Sequence, residues 1–347
     1  MKFDPLAKMT VALDAMGGDH GATVVIEAAA DVLKTHPNVH FRIYGDQKII
    51  APLLDAYPVL KSTCAIFHTD DIVSNHEKPS IALRKSRGTS MRLAIEDVRD
   101  KNADCVISAG NTGALMAIAK TVLRCLPGID RPAIASIIPT MKQDCVLLDM
   151  GANLECDASA LVQFAILGSV YAQIHLDKDQ PSVGLLNIGS EDMKGPESIR
   201  NAAKTLREIH FPGKFIGYAE GDDLPKGDFD VVVTDGFSGN IALKVVEGVA
   251  KFFSFSLKQS LNSSILSRLG ALLAAPSLLR LKKRMDPRLY NGGMFLGLNG
   301  ICIKSHGGAD AVAFANAIRM GMALGQQKYT DRVASAIETV LNQDCFL

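Results

Sequence analysis

The chain lacks the spacing that a disulfide framework or a zinc site requires. Its seven cysteines (Cys64, Cys105, Cys125, Cys145, Cys156, Cys302 and Cys345) are scattered and form no C-x-x-C pair. Such a pattern suits a reducing cytoplasm. No G-x-G-x-x-G and no G-x-x-x-x-G-K-[ST] occurs, so dinucleotide and P-loop readings lack their fingerprints. The GFSG at 236–239 is not the G-x-S-x-G of a hydrolase elbow. His306 and Asp310 stand one residue too close for the H-x-x-x-x-D pattern of glycerol phosphate acyltransferases. No cysteine is placed beside a histidine, which weakens a covalent thiol mechanism. Formal net charge is zero, so no nucleic-acid partner is expected, and neither a cofactor nor a metal is implied. The first residues, MKFDPLAKM, lack an apolar h-region, and no secretory signal is expected.

What is present is an alternation of apolar runs with helical patterns. Strands are expected near 9 to 15, 39 to 45, 63 to 67, 104 to 108, 133 to 139, 144 to 149, 182 to 188, 214 to 219, 229 to 234 and 300 to 304. This predicts an α/β chain with a mainly parallel sheet covered by helices on both faces. One pair breaks the rule: AIASIIP and DCVLLDM are separated only by TMKQ, which predicts an antiparallel hairpin. The chain reads as a single domain, 1–347.

Four strand-like runs end in glycine-rich polar loops: MGGDHG after TVALDA, GNTGA after DCVISA, GSEDMKGPE after SVGLLNI, and DGFSGN after FDVVVT. Ligands of parallel α/β sheets bind at such ends, where free N–H groups opening a helix favour anions and glycine lets backbone come close. The expectation is one polar cleft framed by Asp14, Gly17, Gly18, Asp19, Gly110, Asn111, Thr112, Asn187, Glu191, Lys194, Asp235, Gly236 and Asn240.

Charge is unevenly placed. Between Lys251 and Arg288 stand eight basic residues, among them Arg280, Lys282, Lys283 and Arg284, against the single acid Asp286. They are mixed with large apolar side chains such as Leu272 and Leu273, which predicts a basic amphipathic helical insertion over 251–290. A second run, 158 to 176, has no Asp, Glu, Lys or Arg, but Ser159, Gln163, Ser169 and Gln173 fall within an arc of roughly 120°. A helix buried in a bundle or facing a second subunit explains it better than a membrane span.

Taken together, DAMGGDHG (14 to 21), KPSIALR (78 to 84), SAGNTGALMA (108 to 117), DMGAN (149 to 153), NIGSEDMKG (187 to 195), VVVTDGFSGNIALK (231 to 244) and GLNGICIKSHGGADA (297 to 311) resemble the bacterial phosphate acyltransferase (PlsX) family. The resemblance implies a Rossmann-like α/β/α sandwich related to the isocitrate/isopropylmalate dehydrogenase type. It also implies a cytoplasmic homodimer, peripherally membrane-associated, that moves an acyl chain from acyl carrier protein to inorganic phosphate for phospholipid synthesis. A membrane surface or a membrane acyltransferase would be a further partner. Two departures touch only loop geometry: Ala22 stands where the family's first loop usually has proline, and NHEKPS replaces the usual threonine-aspartate before KPS.

The reactants point to the same groups. Phosphate, with a second pKa near 7, attacks a thioester without a strong enzyme base, so orientation and charge stabilisation must carry catalysis. Lys194 is the candidate cation, Asn240 a neutral donor, and Asn111 and Thr112 candidate phosphate contacts at a helix start. Asp14, Asp19, Glu191 and Asp235 would orient these donors. His306 could protonate the departing thiolate. Arg280, Lys282, Lys283, Arg284, Leu272 and Leu273 would meet the carrier or the membrane. Rival readings are an acyl-CoA-dependent phosphate acyltransferase, a nicotinamide-dependent dehydrogenase-like enzyme, and a non-enzymatic carrier-protein adaptor.

Overall fold

The computed structural model describes residues 4–284 and 286–343, without the side chains of residues 282–284 and 287. Its centre is a sheet of eleven strands in the order β3-β2-β1-β4-β11-β10-β5-β6-β9-β7-β8. In chain order these are β1 (Met9–Asp14), β2 (Val39–Gly45), β3 (Cys64–His68), β4 (Cys105–Ser108), β5 (Ala133–Pro139), β6 (Asp144–Leu148), β7 (Ser182–Leu186), β8 (Lys214–Ala219), β9 (Val231–Val233), β10 (Gly293–Leu296) and β11 (Ile301–Lys304). All ten expected strands are present. The eleventh, β10, was not anticipated.

Helices α1 (Gly21–Leu33), α2 (Gln47–Asp55), α3 (Pro79–Lys85), α4 (Ser90–Arg99), α5 (Thr112–Leu123), α6 (Ala158–Leu176), α7 (Glu197–Glu208), α8 (Gly236–Leu261), α9 (Ile265–Arg284), α10 (Ala311–Gln326) and α11 (Tyr329–Leu341) complete the fold. Side chains of a strand alternate between faces. Val11, Leu13, Cys105, Ile107, Ile301 and Ile303 therefore join one cluster with buried residues of α1 and α10, whereas Ala12, Val106 and Cys302 join another with α4 and α5. Burying each large aliphatic side chain contributes roughly 1.5–3 kcal/mol, which fixes the register of both layers.

Strand direction decides where the loops emerge. Strands β3, β2, β1, β4 and β11 are mutually parallel. Then β10 runs antiparallel to both β11 and β5, and β5 antiparallel to β6, as the short TMKQ connection required. Beyond that point β6, β9, β7 and β8 are parallel again, but reversed relative to β1 in the ladder. The four polar loops accordingly leave the sheet as two groups and not as one row.

The apolar helix α6 is buried over most of its length, inside the core cluster that includes Val146, Val231 and Val233. Its polar arc is satisfied internally: Gln163 donates to Asp130, Ser169 to the Ala165 carbonyl and Gln173 to the Asp179 and Pro212 carbonyls. The expected helical insertion starts earlier than 251, because α8 is continuous from Gly236, and it bends by 118° into α9.

Candidate active site

The first group of loops follows β1, β4 and β11. Asp14 ends β1 fully buried and accepts hydrogen bonds from Ser90 Oγ (2.7 Å) and Ser108 Oγ (2.6 Å). Burial holds its carboxyl above the usual range against the pull of those hydroxyls. Ser108 Oγ in turn accepts from the Gly110 N–H (3.1 Å). Gly17 is required here: a Cβ on it would lie 2.6 Å from Gly110 N. Gly18 adopts φ +83°, and a Cβ there would meet Ala109 and the Gly307 carbonyl within 2.9 Å. Asp19 N–H donates to the Gly307 carbonyl (2.9 Å), closing the first loop onto the loop after β11.

Asn111 caps α5. Its Oδ1 accepts from Ala114 N (3.0 Å), while Nδ2 donates to the carbonyls of Asn75 (2.8 Å) and Glu77 (3.1 Å). The side chain's donors are spent on holding the loop, so a phosphate contact at Asn111 falls to its backbone N–H. Thr112 beside it is exposed, in the first turn of the helix, where N–H groups lack intrahelical partners.

Lys304, at the end of β11, was missed by the sequence reading. Its Nζ donates to the Ala109 carbonyl (3.0 Å) and to the Ser305 carbonyl, and its charge faces Asp14 and Asp19. Burial pulls its pKa down to about 8, with both aspartates opposing. In sequence it is merely the last residue of an apolar strand. His306, two residues on, is exposed; its Nδ1 accepts from Gly308 N, which leaves Nε2 to carry the proton of the neutral ring.

The second group follows β6, β7 and β9. Strands β7 and β9 are neighbours, with Leu185 opposite Val233, so their loops start side by side. Asp235 caps α8 by accepting from Ser238 N and Ser238 Oγ (2.8 and 2.9 Å). Gly236 N–H donates to the Asn153 carbonyl (2.7 Å), and a Cβ on Gly236 would stand 2.6 Å from that same oxygen. Asn240 lies one turn into α8, exposed, beside Gly151. Asp149 is buried behind this turn and accepts from the N–H groups of Ile134, Gly151, Ala152 and Asn153 and from Asn153 Nδ2. That many donors make it a brace for the loop.

After β7, Asn187 is buried and its Nδ2 donates to the Gly189 and Lys194 carbonyls (both 3.1 Å), folding GSEDMK into a compact turn. Lys194 emerges from it exposed and paired to Glu191 at 2.8 Å; that hydrogen bond raises the lysine and lowers the glutamate. The exposed cation and the exposed amide thus lie in segments that follow neighbouring strands. Among the described residues no hydrogen bond or ion pair joins Lys194 or Asn240 to His306.

Away from the loops, α8 carries Phe237, Ile241, Val245, Val249 and Phe252 exposed at helical spacing, and α9 exposes Leu269, Leu272 (71%) and Leu273 (86%). Arg280 is exposed on the same helix, while the side chains of Lys282, Lys283 and Arg284 lie outside the described residues.

Comparison with known proteins bears on what this geometry serves. Residues 9–332 match the family described as "Fatty acid synthesis protein". A phosphate acyltransferase of Rhodospirillum centenum is 53% identical over 327 residues, covering 94% of this chain and 92% of that protein. Another, from Paramagnetospirillum magneticum, is 50% identical and covers 94% and 93%. Among solved structures, a phosphotransacetylase from Streptococcus pyogenes matches with a TM-score of 0.63 at 17% identity, covering 92% of this chain and 94% of that one. A protein assigned as a 4-hydroxythreonine-4-phosphate dehydrogenase from Salmonella typhimurium matches at 0.53 and 13%, covering 92% and 99%. At those identities the likeness is one of fold, and it places the sheet in the dehydrogenase-like class.

Proposed function

Because the chain belongs to the phosphate acyltransferase family, we propose that it takes an acyl group from acyl carrier protein and moves it to inorganic phosphate. Acyl transfer to phosphate is the activity of its relatives at half identity over nearly the whole chain; the carrier donor is the finer reading. A phosphate oxygen attacks the thioester carbonyl, a tetrahedral oxyanion forms, and the carbon–sulfur bond breaks to leave acyl phosphate and a thiolate that takes up a proton. No enzyme nucleophile is needed.

The observation that carries this assignment is that Lys194 and Asn240, one charged donor and one neutral, are both exposed in segments that follow the neighbouring strands β7 and β9, the first on a loop folded by the buried Asn187 amide and the second beside the Gly151 turn braced by Asp149. Preorganised donors of this kind stabilise a developing oxyanion. Phosphate fits the loop between β4 and α5, where the exposed start of a helix is backed by the cationic Lys304. Although the two loop groups run opposite in the ladder, sheets twist by about 20–25° per strand, so seven steps from β1 to β7 accumulate roughly 150°. On this reading the two loop groups face one cleft, and His306 Nε2 supplies the thiolate's proton there.

The carrier reading rests on the basic charge of α9, which complements an acidic protein, and the homodimer reading on the apolar stripe of α8. Exposed Leu272 and Leu273 among basic residues suit a peripheral contact with an anionic membrane surface. Cytoplasmic placement agrees with the free thiols. The test compares acyl carrier protein and acyl-CoA thioesters as donors with phosphate as acceptor. A tenfold or greater preference for the carrier in kcat/KM supports the assignment, and equal use of both donors overturns it.

A further inference from the structure

Lys304 backs the loop proposed for phosphate, and three loops converge on it. Its ammonium binds the Ala109 carbonyl at 3.0 Å and the Ser305 carbonyl, and two of its three N–H donors are thereby used. On the other side of the same loop Asp14 takes the Ser108 hydroxyl, and Ser108 takes the Gly110 N–H. The single Ala109–Gly110 peptide unit is thus gripped at both of its polar atoms, its carbonyl by a cation and its N–H by a carboxylate acting through a serine. Gly17 and Gly18 pack against this backbone with no room for a side chain. A lysine bound only to carbonyls and flanked by Asp14 and Asp19 also leaves a positive charge next to the start of α5, where those two acids would otherwise repel an anion.

We propose that Lys304 is a positioning residue for the phosphate substrate, fixing the 109–111 backbone and offsetting the charge of Asp14 and Asp19. The inference rests on the reading that phosphate binds the β4–α5 loop. The charged groups that act on the ammonium are Asp14 and Asp19 from the first loop; α4 and the β4–α5 loop face Asp14 with Ser90 and Ser108, which carry no charge.

The experiment uses the full chain, an acyl thioester and inorganic phosphate, with Lys304→Met, Lys304→Arg and Ser108→Ala compared by steady-state kinetics after their melting curves have been recorded. Lys304→Met should raise the KM for phosphate tenfold or more and leave kcat within about threefold. Lys304→Arg should restore KM to within about threefold. In the wild type kcat/KM for phosphate should fall above pH about 8 as the ammonium is lost, and that limb should be missing from Lys304→Arg, whose guanidinium stays charged. Should Lys304→Met fail to fold, the pH limb in the wild type and its absence in Lys304→Arg decide the matter alone. A folded Lys304→Met with unchanged KM, beside a Ser108→Ala with raised KM, overturns the role of Lys304 and leaves the phosphate site standing. Unchanged KM in both removes the β4–α5 loop as the phosphate site and the inference with it.

Discussion

Substituting Asn240 by aspartate separates folding from chemistry more sharply than removing it does. Asn240 is exposed in the second turn of α8, and a carboxylate of the same shape clashes with nothing there. In an exposed second turn either substitution changes stability by well under about 1 kcal/mol, so Asn240→Asp and Asn240→Ala should both melt near the wild type. Turnover should separate the two. Loss of one transition-state donor typically lowers kcat about a hundredfold, which sets the level for alanine. A new carboxylate roughly 4 Å from the oxyanion adds repulsion of about 1–2 kcal/mol at the effective dielectric of an exposed site, a further five- to thirtyfold loss. Thiol release from an acyl thioester, measured against phosphate concentration for both folded variants, gives the comparison directly. An aspartate variant as fast as the alanine variant would refute the placement of Asn240 against developing negative charge.

Other expectations follow from the same geometry. Lys194→Ala should lower turnover roughly a hundredfold while the melting temperature stays near that of the wild type, since the lysine is exposed and bonded only to the equally exposed Glu191; unchanged kcat in a folded variant would remove it from the site. Lys304 is pulled from the usual 10.5 to about 8, so between those values the unfolded chain binds more protons and the wild type gains stability with rising pH. Relative to Lys304→Met, that gain should be roughly 2 kcal/mol between pH 8 and 9.5, read from denaturant melts at the two values; parallel profiles would contradict the burial of the ammonium. Replacing Leu272 and Leu273 by Glu should release the protein from anionic vesicles in sedimentation while turnover on a soluble thioester persists. If the variant instead stays on vesicles and has a lower mass in solution than the wild type, those leucines are an interface between subunits.

Most of the architecture was legible because strand signals depend on local apolar runs, and ten of eleven strands stand where those runs are. The exception, β10, is the four-residue GMFL set between glycine-rich turns, too short to register beside its neighbours. Its omission mattered, because β10 and the β5–β6 hairpin together reverse the second half of the sheet and split the polar loops into two groups. Side-chain roles were harder to read. Asn111 looked like a ligand contact because an amide at a helix start suits both jobs, and only its three hydrogen bonds show it occupied by capping. Lys304 carries no local signal at all; its environment is made by Asp14, Asp19 and Ala109, residues distant in sequence.

The most direct test of the account is incubation of the purified chain with long-chain acyl carrier protein thioester and inorganic phosphate, with hydroxylamine added to trap acyl phosphate. The account predicts acyl hydroxamate in amounts that saturate with phosphate and match the free carrier thiol released. Carrier bound tightly, with neither hydroxamate nor thiol formed above a protein-free control, would contradict it.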